Sequence, residues 1–362
     1  MEFALTSEQT QFQASLDRAL ANFSNLDTVR AATNGDAAAS ARIAEGVGSL
    51  GITGVIVPEA HGGLGLDLLD VALVAEMLGR HVTPAPFLAT SVMAPLALTR
   101  TGSAAQQAHW LAKITDGSAR FGVAISEWAN GARDGAGVTA MSGKLSGAAL
   151  MALDAGTADA LIIADTAGAL HLVETGTPGL TIEALPSLDT TRPLAKLTFA
   201  DTPAEPLPGD GPAALAAVRD AAWVMLAADT LGAAQHMLEK AVAYSAERRQ
   251  FGRAIGSFQA VKHLCAEMAA EIEPCRALVW YAAYALSRGE ADAPLAAAHA
   301  KAHLGEVGRF VARTATEVHG GMGFTDLSGL PFWFRRIEAN RQLLGGPEQV
   351  RRHAARLQGF AA

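Results

Sequence analysis

Three short segments bring together residue types that could do chemistry. ERRQFGRAIGSFQ (Glu247 to Gln259) sets three arginines around Phe251, with glycines at 252 and 256. An arginine fork can meet a phosphate through two parallel hydrogen bonds, and glycine lets a backbone come close to a ligand. The same residues would also serve as a charged turn between helices, so this segment alone leaves both uses open. EVHGGMGF (Glu317 to Phe324) repeats the theme: Gly320, Gly321 and Gly323 would end a helix and expose amides able to cradle a large ligand. RQLLGGPEQVRR (residues 341–352) runs a glycine pair into Pro-Glu, a tight turn opening a helix and a suitable place to hold an anion.

Other motifs carry less. GVGSLG (Gly46 to Gly51) has the form GxGxxG, but a helical run precedes it and a strand-like GVIVP follows. A dinucleotide fingerprint needs the opposite order, so a glycine-rich helix-to-strand turn is the better account. His299 and His303 stand one helical turn apart, a spacing that can hold a metal, yet no third ligand lies near them in sequence. Cys265 and Cys275 are ten residues apart and fit no metal or redox spacing, which suits reduced core thiols.

These segments must be positioned by a chain of 362 residues that is 50% hydrophobic, 18% charged and 6% aromatic. That balance suits a mostly helical globular protein with more than one domain. A net charge of −8 argues against a nucleic-acid surface, which needs a basic stripe. The acidic, polar N-terminus is no signal or transit peptide, and no apolar run is long enough to span a bilayer, so a cytoplasmic location is expected. Helical patterns fill residues 1–119, with a capping box expected at Thr6 and Gln9 and apolar residues in GLDLLDVALVAEMLGR near helical periodicity. Residues 120–205 break into short apolar runs (FGVAISE, GVTAM, KLSGAALMAL, ADALIIADT, ALHLVET, LAKLTFA), the signature of a compact β domain. DTPAEPLPGDGP reads as the linker out of it. Helices return over 206–362, and Pro274 should kink one of them. The fold class is therefore mainly α with a central β domain.

Taken together, four ordered segments resemble the acyl-CoA dehydrogenase family from end to end. EQTQFQASLDRAL with LGITGVIVPEAHGGLGLDLLDVALVAEMLGR is similar to its first helices and its P-E-x-x-G-G-x-G loop. VAISE is similar to the flavin-contacting segment of its β domain. YSAERRQFGRAIGSFQAVKHLCAEMA and EVHGGMGFTDLSGLPFWFRR resemble its two signatures. The resemblance implies an α–β–α subunit: a helical N-terminal domain, a β barrel and a C-terminal four-helix bundle, with FAD between barrel and bundle and shared with a neighbouring subunit. It implies that Ile125 and Ser126 lie against the flavin ring, and that Arg248, Gln250 and Phe251 contact the pyrophosphate and adenosine across a dimer interface. Phe258 and Gln259 would serve the same end of the cofactor. Glu317, Gly320 and Gly321 match the family's Q-x-x-G-G segment, with glutamate in place of glutamine facing a diphosphate. Met151 stands where larger members carry a tryptophan, leaving the flavin face less covered.

The reaction so implied is α,β-dehydrogenation of an acyl-CoA, with the α-proton taken by a buried carboxylate of raised pKa and electrons passed to an electron-transfer flavoprotein. The family's glutamate precedes a glycine in the final loop; counted from Arg335, that position is Leu344, followed by Gly345. The alternative position, on the first long helix of the bundle, is Ala222. Neither side chain can accept a proton, and Asp220 and Asp229 stand at neither position. The chain is thus expected to work within a homo- or hetero-tetramer, either with a base not recognised here or one supplied by a homologous chain. The alternatives are an inert flavin-binding or structural partner, or another flavoenzyme of the superfamily. Glu348, four residues past Leu344, is expected to cap the following helix.

Overall fold

The computed structural model describes residues 4–131 and 133–361. Six helices form the N-terminal part: α1 (Ser7–Phe23), α2 (Leu26–Thr33), α3 (Ala37–Ser49), α4 (Leu68–Arg80), α5 (Ala94–Thr101) and α6 (Ala104–Thr115). The capping box that starts α1 is present: Thr6 N donates to Gln9 Oε1 and Gln9 N to Thr6 Oγ1, each at 3.1 Å. The strand expected after Gly51 is absent. Ile52–Gly54 forms a single 3-10 turn instead. Val55 and Val57 are nevertheless fully buried, so the apolar alternation there marks core contact without a ladder. Gly46 lies inside α3, where a Cβ would overlap the Phe23 ring. Close packing, not ligand approach, explains that glycine.

The central part begins with β1 (Phe121–Ala124) and a short helix α7 (Ser126–Asn130). It continues through β2 (Gly137–Met141), β3 (Lys144–Leu153), β4 (Ala160–Ala164), β5 (Leu170–Glu174), β6 (Leu180–Leu185), β7 (Leu194–Pro203) and β8 (Glu205–Leu207). The strands form one sheet in the order β6-β7-β3-β1-β4-β5-β8, with β2 paired to β3. Only β1 and β4 run parallel. Two strands were not expected. β6 alternates only between half-buried and exposed positions, too weak a pattern to read, and β8 lies with the end of β7 in the stretch expected to be linker.

The remaining helices are α8 (Gly211–Glu247), α9 (Gln259–Arg288), α10 (Ala293–His319), α11 (Leu330–Gln342) and α12 (Pro347–Leu357). Between α8 and α9, β9 (Arg249–Gln250) and β10 (Arg253–Ala254) make a two-stranded hairpin. Asp210 caps α8, its Oδ1 accepting from Ala213 N at 3.1 Å. α9 runs through Pro274 as one continuous helix. The core is shared, because α8 packs on both α4 and α10. A Cβ on Gly232 would overlap the Glu76 carbonyl, and one on Gly79 the Asp229 carbonyl. Helices α4 and α8 therefore meet backbone to backbone.

Asp229 on α8 also ties the sheet to the bundle. It accepts from Arg336 Nη2 at 2.7 Å, Arg192 Nη2 at 3.1 Å and Asn340 Nδ2 at 2.6 Å. Burial alone would raise its proton affinity, but Arg336 and Arg192 outweigh that and keep it low. Among the described residues no helix is long and apolar enough to cross a membrane.

Candidate active site

The site is assembled where α7, α8 and the turn between α11 and α12 meet. β1 delivers Ile125 and Ser126 to the start of α7, both buried. Ser126 Oγ donates to the Met151 carbonyl at 3.3 Å, and Glu127 Oε1 accepts from Leu150 N at 2.8 Å. These two bonds pin α7 to β3. Met151 itself sits in the left-handed region (φ 56°), within a register shift between Ala149 and Ala152. That irregularity gives the Met151 carbonyl to Ser126.

The turn after α11 keeps its expected shape. Leu344 has φ 55° and Gly345 φ 119°, and Leu344 is only 2% exposed. Its carbonyl accepts from Trp223 Nε1 at 2.8 Å. Lys301, buried on α10, donates to the carbonyls of Asn340 (2.7 Å), Arg341 (3.0 Å) and Gly345 (3.2 Å). An ammonium placed there satisfies the orphan carbonyls at the end of α11 and complements its dipole. Burial, with Arg341 adding to it, nonetheless pulls the Lys301 pKa down to about 7. The cap of α12 is one residue beyond the expected one: Gln349 Oε1 accepts from Gly346 N at 3.3 Å. Glu348 instead lies 3.6 Å from Arg341. Gln349 Nε2 also donates to the Asn130 carbonyl at 3.3 Å, which joins the turn to the end of α7.

A cavity of about 300 Å³ opens beside this turn, lined by Trp128, Asn130, Arg219, Trp223, Leu344 and His353 together with Arg352 and Arg356. No aspartate or glutamate is among its described lining residues. Arg219 lies between two indoles, its guanidinium carbon 5.4 Å from the Trp128 ring and 4.6 Å from the Trp223 ring. It is paired with Asp220 at 2.7 Å. Burial pushes the Asp220 carboxyl upward in spite of that arginine. Ala222 is fully buried on α8.

The other expected residues lie apart from the cavity. Arg248, Gln250 and Phe251 are exposed on the β9–β10 hairpin, Phe251 at 93%. Phe251 (φ 52°) and Gly252 (φ 77°) both take left-handed conformations, as a two-residue hairpin turn requires. The hairpin brings Phe251 within 6.2 Å of Phe258, and Arg253 lies 3.9 Å over the Phe258 ring. Gln259 begins α9 and is exposed. Tyr244 stacks on His319 at 4.5 Å, which sets the end of α8 against the end of α10. Glu317, Gly320 and Gly321 are exposed there, and a Cβ on either glycine would meet nothing within 4 Å. An aromatic–arginine cluster, open glycine backbone and a buried serine hydroxyl suit the adenosine, diphosphate and ring ends of a flavin dinucleotide. His299 and His303 are exposed on α10, and no cluster of three potential metal ligands occurs among the described residues.

Several site residues escaped the sequence: Arg219, Trp223, Lys301, His353 and Asn130. Arg219 and Trp223 were findable, because an arginine and a tryptophan at i, i+4 share a helix face. Lys301 was not, since its partners are about forty residues away.

Comparison with known proteins matches these features to relatives. Residues 6–118 match the model of the acyl-CoA dehydrogenase N-terminal domain, and residues 215–357 that of its C-terminal domain. Acyl-CoA dehydrogenase IpdE2 of Mycobacterium tuberculosis is 32% identical over 304 residues, 84% of this chain and 82% of that protein. Among solved structures, the Tcur3481-Tcur3483 steroid ACAD superposes with a TM-score of 0.87 at 31% identity, covering 97% of this chain and 98% of the other. The ChsE4-ChsE5 complex from Mycobacterium tuberculosis gives 0.88 at 25% identity over 100% of both chains. With a helical, central-sheet, helical order and matches over both helical parts, the chain belongs to the acyl-CoA dehydrogenase family.

Proposed function

We propose that this chain is a subunit of a FAD-dependent acyl-CoA dehydrogenase whose α-proton acceptor comes from a homologous chain. The observation that carries this reading is the cavity around Leu344, whose described lining includes no carboxylate. Leucine and alanine occupy the two positions at which the family places its base. Asp229 is committed to two arginines and an amide, and Asp220 to Arg219. The two-component names of the Tcur3481-Tcur3483 and ChsE4-ChsE5 relatives support an assembly of unlike chains.

FAD, when bound, supplies the two-electron sink for the β-hydrogen of the acyl thioester. This chain's part is to hold and orient. Ile125 and Ser126 would lie against the ring. Arg248, Gln250 and Phe251, with Phe258 and Gln259, would grip the adenosine and pyrophosphate across an interface with a second chain. Gly320 and Gly321 would offer backbone amides, while Glu317 brings a negative charge that opposes a diphosphate and weakens that contact. An electron-transfer flavoprotein is the expected electron acceptor, and a tetramer the expected assembly.

Anaerobic mixing of the FAD-loaded chain with a panel of acyl-CoAs, followed by flavin absorbance, tests the reading. No bleaching by the chain alone, and bleaching after a homologous acyl-CoA dehydrogenase chain is added, are the expected results. Bleaching by the chain alone would show that it has its own base. Silence in both arms favours an inert partner, and a protein that cannot be loaded with FAD overturns the cofactor assignment.

A further inference from the structure

The chemistry of the cavity beside Leu344 is one-sided. Three arginines line it, and no acid does among the described residues. Arg219 directs Nε and Nη2 to Asp220 Oδ1, and Nη2 also lies 3.2 Å from His353 Nε2. No partner is seen for its Nη1 among the described residues. Because arginine only donates, His353 Nε2 accepts, and the neutral ring carries its proton on Nδ1. Burial, then Arg219 and Arg356, lower the proton affinity of His353, consistent with that neutral form. Asn130 Oδ1 is a second, independent sign. It is buried with no hydrogen-bond partner, beside Gly345 in the cavity wall. A buried acceptor without a donor is rare in a folded protein and suits a ligand that brings one. Trp128 and Trp223 supply flat apolar walls.

We propose that this cavity binds a small organic carboxylate with an apolar, ring-sized body. The carboxylate is planar and meets guanidinium groups with two parallel bonds, which a lysine-lined site would not offer. The apolar body lies against the indoles, where aromatic and aliphatic rings both gain from burial. A hydroxyl on the ligand would donate to Asn130 Oδ1. Size limits the ligand as well. About 300 Å³ is the bottom of the range of about 300–1,000 Å³ usual for drug-sized molecules, so the cavity takes one small acid and not a whole CoA thioester. This inference goes beyond the dehydrogenase reading and stands without it, because binding is measured on this chain with no flavin chemistry.

The test is isothermal titration calorimetry on the full chain, with tryptophan emission followed in parallel. The probes are cyclohexanecarboxylate, its methyl ester and inorganic phosphate. The acid is expected to bind and to change the emission, with the ester at least about tenfold weaker, as loss of a charge-assisted pair implies. Arg352 is exposed on α12, so Arg352→Gln should fold normally and weaken the acid by at least about fivefold while leaving the ester unchanged. Arg352→Lys, which keeps the charge but loses the fork, should fall between them. Equal binding of acid and ester, an unchanged affinity in Arg352→Gln, stronger binding of phosphate than of the acid, or no binding at all would overturn the proposal.

Discussion

At the scale of single residues, the turn at Leu344 is held by other residues against its own preference. A non-glycine residue in the left-handed region costs roughly 1–2 kcal/mol, and Leu344 has φ 55°. The hydrogen bond from Trp223 Nε1 at 2.8 Å is one of the contacts that holds it there. Trp223→Phe keeps most of the packing but leaves the Leu344 carbonyl buried without that donor. Urea unfolding should show a loss of about 1–2 kcal/mol; an unchanged midpoint would mean that the carbonyl finds another donor. Lys301 makes a second prediction, in which the sign matters. Its folded pKa is about 7, below that of an unfolded lysine. Between the two values the unfolded chain binds more protons, so stability contributed through Lys301 rises as pH rises above about 7. The slope is at most about 1.4 kcal/mol per pH unit. Lys301→Met should remove that rise, and the same pH dependence in both proteins would refute the assignment.

Among the elements, the crossing of α4 and α8 has the least room to change. Gly79 and Gly232 each face a carbonyl of the other helix, so any side chain there pushes the helices apart. Gly232→Ala should destabilise by about 3 kcal/mol or more, read as a lower midpoint in thermal unfolding. A neutral Gly232→Ala would show that the helices can separate freely. The same elements show what the sequence made legible. Local signals were enough for the Thr6–Gln9 capping box, for α4 and for the long bundle helices, because caps and 3.6-residue periodicity lie within a few residues of each other. They failed for Val55 and Val57, whose apolar alternation looked like a strand although their burial comes from tertiary packing. They failed again for β6, which has no fully buried face, and for β8, three residues with Pro206 in the middle.

On the scale of the whole molecule, Asp229 is the point at which sheet and bundle are joined. Arg192 comes from the segment between β6 and β7, and Arg336 and Asn340 from α11. Such a cluster cannot be read from sequence spacing, because its members are 37 to 111 residues from Asp229. The four family-like segments were legible because each is local; the cavity they surround was not, because α7, α8 and α12 contribute to it from distant parts of the chain. Asp229→Asn removes the charge that two buried arginines face. Breaking a buried pair in this way costs about 3–5 kcal/mol, and calorimetry should show a lower transition or separate melting of the two parts. A single transition at the original temperature would mean that the domains are held elsewhere.

The way the Leu344 turn is fastened has an evolutionary consequence. Lys301 grips three main-chain carbonyls and Trp223 a fourth, and none of these four bonds involves the side chain at position 344. The loop's path and its residue identity are therefore separable traits. A duplicated gene could exchange the acid at that position for leucine in one step and still encode the same loop. What such a copy would lose is a reaction, not a fold, and an unlike subunit that kept the acid would be enough to preserve it.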